Sequence, residues 1–160
     1  MDTLSKERRS WNMSRIRSKN TRPEIKVRSL LHQMGYRFRL HSHELPGKPD
    51  IVLPKHRTVI FVHGCFWHRH KGCKYAYEPK SRQEFWQKKF RDNVHRHAEV
   101  VRLLLSANWS VLVVWECQLR DPESVQESLG LYFSNRLEQT YLYDLNDSWD
   151  RPNSVDEPSE

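Results

Sequence analysis

The sequence predicts a single α/β domain. Residues 21–34 and 82–108 have the apolar periodicity of amphipathic helices, and residues 122–137 suggest a third helix. Short apolar runs of strand length occur between them, at residues 58–62 and 110–115. The second run is apolar at almost every position, which is typical of a strand covered on both faces. A length of 160 residues suits one domain with its own core.

The first predicted helix has clear start and stop signals. Thr21 can cap its N-terminus, Pro23 is tolerated in the first turn, and Glu24 completes a capping box. Gly35 ends the helix. The buried stripe consists of Val27, Leu30, Leu31 and Met34. Glu24 projects near the core-facing side, where it is either only a cap or also part of a site.

A strand and a hairpin are expected next. Residues 36–41 alternate between apolar and charged side chains, the period of a half-buried strand. Residues 51–53 and 58–62 then form a hairpin with Asp50 at one end and His63 at the other. Because the strands run antiparallel, we expect these two ends to lie close together.

The long helix that follows is predicted to bury one stripe. That stripe consists of Trp86, Phe90, Val94, His97, Val101 and Leu104. Its opposite face is basic, with Lys88, Lys89, Arg91 and Arg96.

Charge is distributed unevenly along the chain. The net charge is +7, and because residues 144–160 hold six acids and one arginine (a net −5), residues 1–143 carry +12. Residues 1–30 contain nine Lys or Arg side chains against three acids. We expect a basic N-terminal arm at residues 1–20, one domain at 21–143 and a flexible acidic tail over the last 17 positions. A solvated N-terminus is the alternative for the arm. Such a basic body favours a nucleic acid over a small molecule as partner.

The compartment follows from the apolar runs and the cysteines. No apolar run approaches the roughly 20 residues that span a bilayer, and the N-terminus lacks a hydrophobic signal core. The sequence therefore predicts a cytoplasmic protein without membrane contact. Three cysteines are an odd number, which argues against a closed set of disulfides and favours a metal site in a reducing compartment.

Four side chains can form one metal site. Cys65, Cys73 and Cys117 with His70 would make a closed tetrahedral zinc site, which is structural rather than catalytic. Cys117 strengthens this hypothesis because it follows a core strand that a sheet can return to the other two cysteines. His68 is a rival fourth ligand, and three buried thiols without metal are the simpler alternative.

A second group has the residue types of a hydrolase. Asp50 can bind Mg²⁺, and His63 or His68 can take a proton from water, with Glu24 nearby. Together they can hydrolyse a phosphodiester. The alternative is that they are ordinary polar residues at strand ends.

Three aromatic side chains flank these groups. Phe66 and Trp67 adjoin a cysteine, and Trp86 lies near the start of the long helix. Aromatic side chains held by a rigid metal site can stack on bases or wedge between them. The alternative is that they belong to the core, as the helical periodicity favours for Trp86.

With these motifs the sequence resembles the very short patch repair (Vsr) DNA mismatch endonuclease family. The resemblance covers roughly residues 8–121. It rests on residues 45–50, 60–68, 85–86, 93–94 and 113–117, and residues 12–13 and 22–39 also fit. The combination of the first two segments is highly specific.

The resemblance implies a restriction-endonuclease-like fold, with a mixed central sheet flanked by helices and a structural zinc site. It implies an endonuclease that nicks one strand of duplex DNA, 5′ to the thymine of a T:G mismatch left by deamination of 5-methylcytosine. Mg²⁺ would be the catalytic and Zn²⁺ the structural cofactor. It further implies a bacterial, nucleoid-associated monomer that works alongside mismatch-repair proteins and a companion cytosine methyltransferase, functionally rather than by contact.

The resemblance also assigns roles to the catalytic residues. Asp50 would bind Mg²⁺ together with the backbone carbonyl of Val62. His68 would act as general base or position the attacking water. Glu24 would organise metal-bound water, and His63 would contact the region of the scissile phosphate.

The same resemblance assigns zinc ligands and DNA contacts. Structural zinc would be bound by Cys65, His70, Cys73 and Cys117. The side chains inserted beside the mismatch would be Phe66, Trp67 and Trp86, with Met13 of the arm wedging in from the minor groove.

This chain departs from the family pattern in several places. Val62 stands where a threonine is common, and His97 replaces an aspartate near the water network, so His97 is a further catalytic candidate with a different role. Lys71 and Gly72 change the loop between two zinc ligands. No Glu-x-Lys follows Asp50, so His68 rather than a lysine must handle the water.

Two other functions stay open at this point. A zinc-stabilised DNA-binding protein without nuclease activity would share the same residues. A restriction endonuclease on the same fold would cut matched DNA in both strands.

Overall fold

The computed structural model describes residues 4–134 and 142–144. Its α-helices are α1 (Lys6–Ser14), α2 (Arg22–Gln33), α3 (Cys65–His68), α4 (Gln83–Ser106) and α5 (Pro122–Ser134). Its strands are β1 (Arg39–Leu40), β2 (Ile51–Leu53), β3 (Thr58–His63), β4 (Ser110–Trp115) and β5 (Leu142–Asp144). Of the predicted acidic tail, 145–160 lies outside the described residues.

The five strands form one mixed sheet in the order β1-β2-β3-β4-β5. β1, β2 and β3 are antiparallel neighbours, whereas β3, β4 and β5 run parallel. α4 makes the crossover between β3 and β4, as a parallel connection requires. The predicted fold class, a mixed central sheet flanked by helices, is confirmed.

Successive side chains of the central strands point to opposite faces of the sheet, so both faces are apolar and helices cover both. On one face, Ile60 and Leu112 pack against the apolar stripe of α2 and against α5. On the other face, Val59, Phe61 and Val111 pack against α4. All six residues of β4 are buried, as its continuous apolar run predicted.

The start and end of α2 are those predicted from the sequence. Thr21 Oγ1 accepts a hydrogen bond from Glu24 N–H at 3.4 Å and caps the helix. Gly35 follows the helix with φ of 83°, in the left-handed region that glycine tolerates best. These local signals fix the position of Glu24 in the first turn.

Two features differ from the prediction, one strand boundary and one buried position. The strand expected at residues 36–41 is reduced to Arg39–Leu40, which pairs with two of the three residues of β2. Val94 is 46% exposed rather than buried. Its place on the inner side of α4 is taken by Asn93, whose side chain donates to the Trp67 carbonyl oxygen at 3.4 Å. The last predicted helix is seen to Ser134, and residues 135–137 lie outside the described range.

In the part of the chain that the structure describes, no helix combines the length and the apolar character needed to cross a membrane.

Candidate active site and metal cluster

A cavity of about 420 Å³ opens at the end of the sheet where β3 finishes. Its walls come from α2, from the segment before β2, from the end of β3 and α3, and from the middle of α4. Five predicted catalytic side chains line it: Glu24, Asp50, His63, His68 and His97. The fold therefore gathers residues spread from position 24 to position 97 into one site.

Asp50 sits directly before β2, facing the neighbouring strand. Its Oδ2 accepts a hydrogen bond from Val62 N–H at 2.8 Å, so the expected proximity of the hairpin ends is real. Burial raises the pKa of Asp50 to about 6; the Val62 N–H opposes this rise, the Glu24 charge adds to it, and Arg28 lowers it. A partly buried carboxylate that is costly to ionise is well suited to binding a cation.

Glu24 is only 3% exposed, and its carboxylate is held by three donors. Oε1 accepts from the Thr21 hydroxyl at 3.0 Å, and Oε2 accepts from Asn20 N–H and from Arg28 Nη2, both at 3.0 Å. Glu24 is thus both part of the helix cap and a wall of the cavity. The sequence had left these two roles as alternatives.

His41 is a member of this site that the sequence reasoning missed. One ligand atom from each of Glu24, His41 and Asp50 can be chosen so that all three lie within 4.8 Å of one another. The signal lay in the strand register. β1 pairs Leu40 with Ile51, so the next pair places His41 opposite Asp50.

Three imidazoles pack together on the other side of the cavity. The rings of His63 and His68 are stacked, with centroids 3.7 Å apart, and His97 meets His63 edge-on at 4.3 Å. Burial lowers the pKa of His68 to about 4, and it also lowers the pKa of His63 and of His97. All three rings are therefore uncharged at neutral pH.

His63 is 4% exposed, and neither of its ring nitrogens has a hydrogen-bond partner among the described residues. The same holds for Nδ1 of His68. Buried polar atoms are nearly always paired with protein, water or ligand. We therefore expect water or a substrate oxygen to bind at these nitrogens.

The predicted metal cluster also assembles. The four ligand atoms of Cys65, His70, Cys73 and Cys117 lie within 4.8 Å of one another. His70 Nδ1 is 3.5 Å from the Cys65 sulfur and 3.3 Å from the Cys117 sulfur. In a tetrahedral zinc site a sulfur and a nitrogen ligand stand about 3.5 Å apart, so the cluster can hold such an ion.

His68, the rival fourth ligand, points elsewhere, because its ring stacks on His63. Burial raises the pKa of the Cys65 thiol and of the Cys117 thiol. A metal ion at this cluster would therefore displace thiol protons as it binds.

The cluster joins distant parts of the fold. Cys65 begins α3, His70 and Cys73 follow it, and Cys117 lies just after β4. His70 also stacks on Trp115, with ring centroids 4.1 Å apart. The segment after β3 is thus fixed against the end of the neighbouring strand.

Glu116 is a second residue whose role the sequence reasoning missed. Its carboxylate accepts a hydrogen bond from Cys65 N–H at 3.0 Å, and its own N–H donates to the His63 carbonyl oxygen at 2.9 Å. Gly64 at the N-cap of α3 provides no side-chain cap. Glu116, the residue after β4, therefore caps α3, the helix that carries His68.

The three aromatic candidates form one cluster between α3 and α4. Phe66 contacts Trp67, Trp86 and Phe90, with ring centroids 5.1–5.5 Å apart. Phe66, Trp67 and Trp86 are half-buried, and Trp67 also lines the cavity. Lys89 Nζ lies 5.4 Å from the Trp67 ring, so a positive charge adjoins this cluster.

The N-terminal segment presents apolar side chains to solvent. No residue of α1 is buried, and Met13 is 44% exposed. Beyond α1, Ile16, Arg17 and Ser18 contribute to the cavity wall. An exposed apolar and basic segment beside a cavity is typical of a binding surface.

Comparisons with known proteins identify one matching family and several relatives. The sequence pattern of the family described as DNA mismatch endonuclease Vsr matches residues 1–74. The type II nicking enzyme V.XorIIP of Xanthomonas oryzae pv. oryzae is 52% identical over 128 residues, which are 80% of this chain and 93% of that protein. The DNA mismatch endonuclease Vsr of Escherichia coli K12 is 41% identical over 138 residues, 86% of each chain.

Among solved structures, the catalytic domain of the homing endonuclease I-Bth0305I has a TM-score of 0.43 at 20% identity. The match covers 72% of this chain and 96% of that domain.

Proposed function

Because the chain belongs to the Vsr family of DNA mismatch endonucleases, we propose that it nicks one strand of duplex DNA, 5′ to the thymine of a T:G mismatch, with Mg²⁺ bound at Asp50. As a member of this family it is a DNA-cleaving hydrolase. The observation that carries the finer proposal is the cavity in which Asp50, Glu24 and three uncharged histidines face one another.

Mg²⁺ would be held by Asp50 and by the Val62 backbone carbonyl. Asp50 fits this role because its carboxylate is partly buried and fixed by the Val62 N–H. A bound divalent cation would supply positive charge that stabilises the developing charge on the phosphate and lowers the pKa of a bound water. Glu24, fixed by its three donors, would orient water beside it.

His68 would receive the proton of the attacking water at an imidazole nitrogen. Its pKa of about 4 keeps it uncharged at neutral pH, so that a ring nitrogen can accept a hydrogen bond from that water. A DNA phosphate bound beside the ring would raise this pKa through its negative charge and so make the ring a better base.

Of the other two histidines, one would contact the phosphate and the second would contact the first. His63 has the unpaired ring nitrogens described above, which suits it to contact a phosphate oxygen. His97, edge-on to His63, would fix the orientation of that ring. The His97 ring is uncharged, so it does not replace the negative charge of the aspartate that the family pattern places at this position.

The cysteine cluster would bind structural Zn²⁺. Its ligand spacing fits a closed tetrahedral site, and such a site leaves no open position for chemistry. Its role would be to hold α3 rigid, so that the catalytic and DNA-contacting residues keep their places.

Recognition of the mismatch would fall to the aromatic cluster and the arm. Phe66, Trp67 and Trp86 would insert beside the weakly stacked mismatched pair, which is easier to unstack than a matched pair. Met13 would enter from the minor groove on an arm formed by residues 1–20. The exposure of Met13 and the basic charge of this arm support the assignment.

The test uses end-labelled duplexes that differ only in one base pair, T:G against T:A, incubated with Mg²⁺ or with EDTA. We expect a single nick 5′ to the mismatched thymine, only with Mg²⁺. Binding without cleavage at every Mg²⁺ concentration would instead indicate a DNA-binding protein. Cleavage of both strands of the matched duplex would indicate a restriction endonuclease.

A further inference from the structure

His41 lies where three elements of the active site converge. It follows β1 directly, and its N–H donates to the Asp50 carbonyl oxygen at 3.3 Å. The antiparallel register therefore continues to the pair His41–Asp50, and directly opposite residues of such a pair place their side chains on the same face. His41 has φ of 47°, so the strand ends here and the chain turns away.

Glu24 approaches the same point from α2. Its Oε2 is 3.7 Å from His41 Nε2. One ligand atom from each of Glu24, His41 and Asp50 can be chosen so that all three lie within 4.8 Å of one another. Ligands of one octahedral ion of this size are about 3.0 Å apart in adjacent positions and about 4.2 Å apart in opposite ones. The three side chains therefore fit a single small cation after slight adjustment.

The contact with Arg28 fixes which nitrogen of His41 carries the lone pair. Arg28 Nη2 lies 3.0 Å from His41 Nε2, and a guanidinium group can only donate. In this contact Nε2 therefore accepts the hydrogen bond, and its lone pair points toward Arg28. An imidazole coordinates metal ions through a nitrogen with such a lone pair.

Arg28 also shows that this point accommodates positive charge. Its Nη2 is 3.0 Å from Glu24 Oε2 as well as from His41 Nε2. Its Nη1 is held separately by Asn20 Oδ1 at 2.9 Å, so the guanidinium can keep that bond when Nη2 leaves His41. A small divalent cation can then take the position between the carboxylate and the imidazole.

We propose that His41 Nε2 joins Asp50 and Glu24 in holding the catalytic cation, and that this nitrogen makes the site prefer Mn²⁺ to Mg²⁺. The inference rests on the proposed function, since it concerns the same cation. The buried His63, whose ring nitrogens lack partners among the described residues, lines the same cavity as Asp50 and Glu24 and independently indicates a bound ligand there. Carboxylate oxygens suit Mg²⁺ and Mn²⁺ alike, whereas imidazole nitrogen favours the transition metal.

The test records electron spin echo modulation from Mn²⁺ bound to the full-length protein. A directly bonded imidazole nitrogen couples to Mn²⁺ and modulates the echo. We expect this ¹⁴N modulation in the wild type and in the control His43→Gln, whose histidine is exposed two residues further on. We expect it to be lost in His41→Gln. Absence of the modulation in the wild type, or its persistence in His41→Gln, would overturn the inference.

Affinities separate this inference from the proposed function. In His41→Gln we expect Mn²⁺ binding to weaken by roughly tenfold or more, and Mg²⁺ binding, measured by competition, to change much less. In Asp50→Asn both ions should lose most of their affinity. If Asp50→Asn leaves Mn²⁺ affinity unchanged, the cation is not held here and the proposed site fails. If only the His41→Gln effect is missing, the proposed site stands and the role of His41 is wrong.

Discussion

Replacing Glu116 by alanine should destabilise the short helix that carries Phe66, Trp67 and His68. The Glu116 carboxylate accepts a hydrogen bond from Cys65 N–H at 3.0 Å. Cys65 is fully buried, and Gly64 offers no side-chain cap of its own. The alanine variant therefore leaves a buried N–H without its acceptor.

The magnitude follows from that single bond. Losing a helix cap costs about 1 kcal/mol, and a buried donor left without a partner costs about 1–3 kcal/mol. These figures describe the same bond and are not added, so we expect a loss of about 2 kcal/mol in unfolding free energy. For a chain of this size that lowers the melting temperature by about 4–8 °C. Glu116→Gln keeps an acceptor oxygen and should lose less than half as much.

Urea denaturation and thermal melting measure this effect. Glu127→Ala, which removes an exposed carboxylate on α5, is the matched control and should change stability very little. At temperatures where Glu116→Ala is still folded, its nicking rate should also fall, because His68 sits on the destabilised helix. A loss below about 0.5 kcal/mol would show that Glu116 does not cap α3.

Two further predictions concern the metal sites. Cys117→Ser should lower the zinc content, measured by atomic emission, and the melting temperature together, because the metal cluster joins α3 to the end of β4; full zinc content with unchanged melting would contradict the assignment. Mg²⁺ affinity, measured by calorimetry, should be nearly constant above pH 7. Below pH 6 it should weaken by about tenfold per pH unit, because the pKa of Asp50 is raised to about 6 and only the ionised carboxyl binds the ion. Affinity that is unchanged between pH 7 and pH 5 would rule out Asp50 as the ligand that controls binding.

Elements with strong local signals could be predicted from the sequence almost to the residue. The six positions of β4 were recognisable because all are buried in the sheet centre. The ends of α2 followed from Thr21 and Gly35, whose conformational preferences act without tertiary context. Cys117 could be grouped with the earlier cysteines because it follows a central strand. Residues that follow parallel neighbouring strands lie at the same edge of the sheet.

Features that depend on tertiary contacts could not be predicted in this way. His41 becomes part of the site only through the β1–β2 register, and β1 is too short to reveal that register in its sequence. Glu116 caps a helix from which it is 51 positions distant in sequence, so no local pattern marks it. Val94 fits the helical periodicity, yet the contact of Asn93 with α3 decides which side of α4 is covered.

Single-turnover nicking of the T:G duplex by Asp50→Ala shows whether strand cleavage depends on a cation held by Asp50. Binding of the same duplex, measured by fluorescence anisotropy, reports whether the variant is folded. We predict wild-type binding with a nicking rate reduced by about 10³-fold or more, since a catalytic cation contributes several kcal/mol to transition-state stabilisation. Binding together with a wild-type nicking rate would contradict the account.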